Sequence, residues 1–188
     1  MPKACIYAGF RHFLSNGSGL VLFVRTIMAR KKMKSNKEYY MTKVNFYDSI
    51  NDSMLKFAVI IARHNGKWVF CKHKERNTWE APGGHREDGE DILETAKREL
   101  YEETGAITFD ITPICIYSVT APDNFDGMET FGKLFFSDIH TFEKELHSEI
   151  EKIAIMDELP INWTYPEIQP KLIEEARKRG FCPKLDIR

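Results

Sequence analysis

The segment LKFAVIIAR, Leu55 to Arg63, is an almost unbroken apolar run rich in β-branched residues. It is followed by the pair Asn65-Gly66, and the apolar pattern resumes in KWVFCKHK. This predicts a strand, a tight hairpin turn and a second strand. TWEAPGG, residues 78–84, then ends the extended stretch in a Pro-Gly-Gly loop. From Asp91 the period changes. Leu93, Ala96 and Leu100 share one stripe at about 100° per residue, which predicts a helix. Asp91 with Glu94 three residues on matches a capping box, and Gly105 supplies the stop.

Farther along, DITPICIYSV (110–119) and TFGKLFFSDI (130–139) predict longer strands. The stretch between them, TAPDNFDGME, has the Pro, Asn, Asp and Gly content of a loop. TFEKELHSEIEK (141–152) fits either a helix or a charged loop, and IAIMDELP (153–160) fits a short strand and turn. PEIQPKLIEEARKRG (166–180) places Ile168, Leu172, Ile173 and Ala176 at helical spacing and ends at Gly180. Pro170 is compatible with that helix only in its first turn. Strands and helices that mix without strict alternation predict an α/β protein with helices packed on a mixed sheet.

Charge divides the chain. Residues 1–40 hold eight Lys and Arg against one acid, Glu38, a net of +7, so the remainder carries −8 of the overall −1. Residues 1–40 are therefore expected to form a basic extension outside the core. It is either an appendage that touches an anionic surface or an upstream stretch with no part in the fold. Residues 41–188 are expected to form the domain.

The balanced net charge gives no footprint for duplex nucleic acid. The apolar run Gly19–Val24 is far shorter than the roughly 20 residues of a spanning helix, and no small-residue cleavage site follows it. No membrane association is expected. Cys5, Cys71, Cys115 and Cys182 form no C-x-x-C pair, which points to reduced thiols in a cytoplasmic protein rather than a zinc cluster.

The chemistry concentrates in PGGHREDGEDILETAKRELYEETGA, Pro82 to Ala106. Glu99, Glu102 and Glu103 lie about a turn apart on one helix edge, where like charges oppose the helix by about 0.2–0.5 kcal/mol per pair. A divalent cation would balance them, since carboxylates are the hard oxygen ligands that Mg²⁺ or Mn²⁺ prefers. A plain solvated acidic face is the simpler account of the three glutamates alone. The Gly83-Gly84 loop before the helix adds a backbone able to approach a ligand closely. Arg98 and Glu90 could pair and fix the helix against that loop, or Arg98 could be an ordinary surface charge.

Gly84, Glu90 and the run RELYEETGA resemble the Nudix box, G-x5-E-x7-R-E-U-x-E-E-x-G-U, where U is a bulky aliphatic residue. All seven fixed positions are present: Gly84, Glu90, Arg98, Glu99, Glu102, Glu103 and Gly105. Leu100 fits the first aliphatic position, and Ala106 is a mild departure at the last. The match spans 23 residues.

The resemblance implies a Nudix-type α/β/α sandwich around a mixed β-sheet. It also implies Mg²⁺- or Mn²⁺-dependent hydrolysis of a nucleoside diphosphate linked to another group. By the same resemblance Glu102 and Glu103 are the main metal ligands, and Glu99 is a ligand or the base that activates water. Gly83 lends a carbonyl to the metal, while Arg98 and Glu90 orient loop and helix. The family often recruits an acid from outside the box, for which Glu149 and Glu151 are the candidates; a charged surface explains them equally well.

Asn162 could read a purine edge, and Trp79, Trp163 or Tyr165 could stack on it. The aromatic residues could equally pack the last helix onto the sheet. The resemblance favours a MutT-like nucleoside triphosphate pyrophosphatase acting on a small nucleotide such as 8-oxo-dGTP. Hydrolysis of ADP-ribose or another nucleotide sugar is the enzymatic alternative, and a non-catalytic nucleotide-sensing module is the other. Capped RNA fits the acidic domain less well. Many family members form homodimers, although nothing in this sequence marks an interface.

Overall fold

The computed structural model describes residues 41–122, 127–144, 146 and 149–182. The basic extension, residues 1–40, lies outside the described residues. The chain forms strands β1 (Lys43–Tyr47), β2 (Leu55–His64), β3 (Lys67–His73) and β4 (Gly83–His85), then helix α1 (Ile92–Thr104). Strands β5 (Ala106–Thr120), β6 (Thr130–Phe142) and β7 (Ile150–Met156) and helix α2 (Gln169–Lys178) complete it.

The seven strands make one sheet in the order β1-β5-β6-β2-β3-β7, with β4 pairing to β2 off that path. The β2–β6 pair is parallel and the other ladders are antiparallel, so the sheet is mixed. The apolar run of β2 is buried on both faces, as expected of a central strand covered by helices on either side. Val59 and Ile61 join Trp68, Phe70, Tyr117 and Leu134 beneath Leu172, Ile173 and Ala176 of α2. Ala58, Ile60 and Ala62 join Val69, Ile116 and Phe135 beneath Ile92, Ala96 and Leu100 of α1. The result is the α/β/α sandwich expected from the sequence.

Several boundaries differ from the sequence pattern. β5 runs from Ala106, past Pro113, which is accommodated at a break in register between Pro113 and Cys115. The described parts of the ambiguous 141–152 stretch are the end of β6 and the start of β7, not a helix. α2 begins at Gln169 rather than at Pro166, with Pro170 in its first turn. Asp91 caps α1 by accepting from the Leu93 amide, but Glu94 pairs with Lys97 instead of completing the capping box. Gly105, in the left-handed region at φ 72°, ends that helix and returns its N–H to the Tyr101 carbonyl.

Among the described residues no helix is long and apolar enough to cross a membrane. Cys71, Cys115 and Cys182 are buried free thiols, and Cys5 lies outside the described residues. Burial pushes the thiols of Cys115 and Cys182 up to about 11.

Candidate active site

The site arises where the central sheet splits. β2 and β3 pair only near their hairpin, at Ala62–His64 with Lys67–Val69, and then diverge. The segment after β3 fills the gap. Cys71 and Glu80 exchange backbone hydrogen bonds, Ile60 N–H donates to the Pro82 carbonyl, and Gly83–His85 pair with Phe57–Val59. The Pro-Gly-Gly loop thus becomes a short inserted strand, a pairing made by residues more than twenty apart in sequence.

Glycine is required there because of space. A Cβ on Gly83 would overlap the Ala58 carbonyl oxygen, and a Cβ on Gly84 would overlap the Glu99 carboxylate. α1 lies across this inserted strand, its apolar stripe on the sheet and its acidic edge along the glycines.

Arg98 is the hub of that edge. Its Nε and Nη2 donate to the two oxygens of Glu90 at 2.9 and 3.0 Å, and Nη2 also donates to the His85 carbonyl at 2.9 Å. Its Nη1 donates to Glu99 at 2.7 Å and to Glu102 at 3.2 Å. The guanidinium is therefore the first positive charge set against the helix carboxylates, and it fixes α1 to the end of β4. The planar fork suits this role because it meets a carboxylate with two parallel bonds.

Glu90 also accepts from the Glu87 amide and the Thr95 hydroxyl. Arg98 above all, with these two donors, holds the Glu90 carboxyl down at about 2, against an ordinary 4.5. A carboxyl whose pKa is lower in the folded state stabilises fully above the unfolded value and loses that contribution as pH falls through the folded one. The urea midpoint of the protein is expected to fall between pH 4.5 and about 2, and Glu90→Gln should flatten that part of the profile. Parallel unfolding curves of the two proteins across this range test it.

Glu103 bonds toward the sheet. Its Oε2 accepts from the Gly83 amide at 2.9 Å and the Cys71 thiol at 3.5 Å. Burial, with repulsion from Glu99 and Glu80, raises its pKa well above the usual carboxylate value, and the Gly83 N–H opposes the rise.

Glu80 escaped the sequence reading. Only 4% exposed, it pairs with Arg76 at 3.1 Å, and burial raises its pKa despite that partner. Gln169 also escaped; its buried side chain accepts from the Ala81 amide and so ties α2 to the Pro-Gly-Gly loop. Glu80, Gly83, Glu103, Tyr117, Tyr165 and Gln169 line one cavity between the sheet and the start of α2. The placement of Glu80 and Gln169 in the sequence, one before the glycines and one at a helix start, gave no sign that they meet.

The other candidates are placed as follows. Glu149 accepts from His73 Nε2 at 2.8 Å; His73 Nδ1 takes the Glu75 amide, which fixes the tautomer. Glu151 is exposed and pairs with Lys72. Both acids thus spend these bonds on β3. The Asn162 amide donates to the Asn77 carbonyl at 2.6 Å, and backbone bonds join Trp79 to Asn162 and Thr164. Trp163 meets Phe70 edge-on at 5.2 Å, and the Lys152 ammonium stands 5.6 Å from the Trp79 ring centre. Among the described residues no three His, Cys, Asp or Glu side chains are gathered as a ready metal cage. The bonds of Arg98 to Glu99 and Glu102, and of Gly83 to Glu103, turn the three carboxylates to different partners.

The family model for the NUDIX domain matches residues 53–175. The chain belongs to the Nudix family and is a hydrolase acting on a nucleotide diphosphate linkage. It is 32% identical over 129 residues to a Bacillus subtilis protein named "Putative 8-oxo-dGTP diphosphatase YtkD", covering 67% of this chain and 78% of the relative. It is 31% identical over 104 residues to the Homo sapiens protein "Nucleoside diphosphate-linked moiety X motif 6", covering 55% of this chain but 29% of that protein. Among solved structures, the Bacillus subtilis pyrophosphohydrolase BsRppH superposes with a TM-score of 0.63 at 24% identity, covering 76% and 93% of the two chains. That likeness is one of fold.

Proposed function

We propose that this protein is a Mg²⁺- or Mn²⁺-dependent, MutT-like nucleoside triphosphate pyrophosphatase, with 8-oxo-dGTP among its substrates. The observation that carries the proposal is the set of Glu99, Glu102 and Glu103 along α1, the first two bound by Arg98 and the third by the Gly83 N–H. The relative named for 8-oxo-dGTP supports the choice of substrate.

The donor set fits a hard dication. Glu103 is a carboxylate removed from water and repelled by two other acids. A cation there would offset both penalties, and oxygen ligands are the ones Mg²⁺ takes. Glu102 and Glu103 would hold it, with the Gly83 carbonyl and Glu99 beside them. When bound, such an ion polarises a phosphoryl oxygen and lowers the pKa of a bound water.

The chain's own residues supply the alignment. Arg98 holds the carboxylates of Glu99 and Glu102, and Gly84 leaves the room that Glu99 occupies. Glu99 is either a further ligand or the base that takes the proton of the attacking water. Water adds to one phosphorus of the α–β anhydride while that phosphorus loses its bond to the bridging oxygen, which leaves with the other fragment, so a triphosphate yields a monophosphate and pyrophosphate.

Relative kcat/KM values for 8-oxo-dGTP, dGTP, ADP-ribose and a dinucleoside polyphosphate test the substrate class. The expected order puts the triphosphates first. A tenfold or greater preference for ADP-ribose would replace the MutT-like assignment with a nucleotide-sugar one.

A further inference from the structure

Beside the cavity that holds Glu80 and Glu103 lies a second, more open cleft of about 470 Å³. Thr42, Arg76, Thr78, Thr164, Tyr165 and Ile168 are among its walls. Tyr165 and Ile168 line both spaces, so the two adjoin. The volume is within the roughly 300–1,000 Å³ typical of small-ligand sites. If the inner space faces the phosphoanhydride, the outer one receives whatever that anhydride carries.

Arg76 is held in place at this cleft. Its Nη1 donates to Glu80 Oε2 at 3.1 Å and to the Tyr165 hydroxyl at 3.2 Å, and its guanidinium carbon is 5.8 Å from the Tyr165 ring centre. Glu80 is nearly fully buried, so the pair is anchored from the protein side. Such a guanidinium is oriented before any ligand arrives, which spares the entropy of ordering a long side chain.

The charge balance decides what kind of group it meets. Glu80 compensates Arg76, and Glu167 also lines the cleft. The Lys171 ammonium reaches the Thr42 carbonyl in the cleft wall at 3.5 Å, so among the described residues two cations face two acids and no excess of positive charge favours a phosphate. A neutral planar group that offers hydrogen-bond acceptors suits it better. Tyr165 gives that group an aromatic wall, and a guanidinium donates but cannot accept. The carbonyl edge of a base such as guanine fits these donors, whereas the exocyclic amine of adenine at the same position would present a donor to a donor.

We propose that Arg76, clamped by Glu80 and Tyr165, is a specificity-determining contact that selects a carbonyl-bearing nucleobase over adenine. This inference rests on the nucleoside triphosphate reading above, and binding measurements separate the two. The experiment compares wild type, Arg76→Lys and Arg76→Ala. It measures kcat/KM for dGTP and dATP, and calorimetric Kd for the non-hydrolysable α,β-imido analogues of both. Arg76→Lys keeps a cation opposite Glu80 and loses only the rigid fork, so it decides the matter if Arg76→Ala fails to fold.

Wild type is expected to prefer the guanine nucleotide. That preference should shrink at least about tenfold in Arg76→Lys, through KM and Kd rather than kcat. An unchanged guanine-to-adenine ratio in the folded variants, or no preference in wild type, overturns the inference. If wild type turns over neither nucleotide, the substrate assignment fails, and the Kd ratios alone then decide the role of Arg76. If neither analogue binds, the inference falls as well.

Discussion

Glu102→Gln is expected to lower metal-dependent turnover at least about 100-fold while the protein remains folded. The side chain lies on the half-buried edge of α1, 29% accessible, and meets Arg98 at 3.2 Å. Gln keeps the size and the hydrogen-bonding oxygen but removes the negative charge. Changes to groups that merely orient a metal ligand commonly cost 10–100-fold, so loss of a ligand's charge should cost no less. The half-exposed position makes an effect on folding small by comparison. Initial rates at saturating Mg²⁺, with a thermal melt of the same preparation, separate the two effects. A variant within about threefold of wild type would remove Glu102 from the metal site.

The second large effect comes from adding one methyl group. In Gly84→Ala the new Cβ overlaps the Glu99 carboxylate, and all three nearest atoms belong to that flexible side-chain end. Glu99 must swing away, and Arg98 loses its 2.7 Å partner. Activity should fall about 10–100-fold, with little change in melting temperature. Gly83→Ala should fail in the opposite way. Its Cβ meets the Ala58 carbonyl and the Val59 backbone, which cannot move without parting β4 from β2. A stability loss of at least about 1–3 kcal/mol is expected, as for other overpacked sites. Activity and urea unfolding measured on both variants test the contrast; equal stability losses would contradict it.

The difference between these adjacent glycines shows where sequence reasoning stops. The box marked Gly84 as fixed and the resemblance gave Gly83 a carbonyl for the metal, but only the inserted strand explains why one protects a side chain and the other a backbone. β2, β3 and α1 were legible because their signals are local: an apolar run, an Asn-Gly turn, a helical stripe and two caps. β4 was read as loop, since its partner is chosen by the parting of β2 and β3 rather than by its own residues. β1 was missed because its pairing with β5 joins residues about seventy or more apart, from Tyr47 with Ile116 to Lys43 with Thr120.

The acidic edge raised the question of a counter-charge, for which the sequence suggested a divalent cation, with Arg98 paired to Glu90 alone. Arg98 is already there, bridging Glu90, Glu99 and Glu102. Glu80 and Arg76 could not be found from spacing. Their significance depends on burial and on Tyr165, which arrives from 89 residues away. Asn162 illustrates the converse. Its amide suits a purine edge in the abstract, and in the fold it donates one hydrogen bond to the Asn77 carbonyl, a contact that the sequence did not foreshadow.

Product analysis of a single reaction tests the central claim most directly. Purified protein is incubated with 8-oxo-dGTP and Mg²⁺, and the phosphorus-containing products are resolved and quantified, alongside a parallel sample with excess chelator. The account predicts equal amounts of 8-oxo-dGMP and pyrophosphate, absent with chelator and absent in Glu102→Gln. Diphosphate with inorganic phosphate, or turnover indifferent to the chelator, would contradict it.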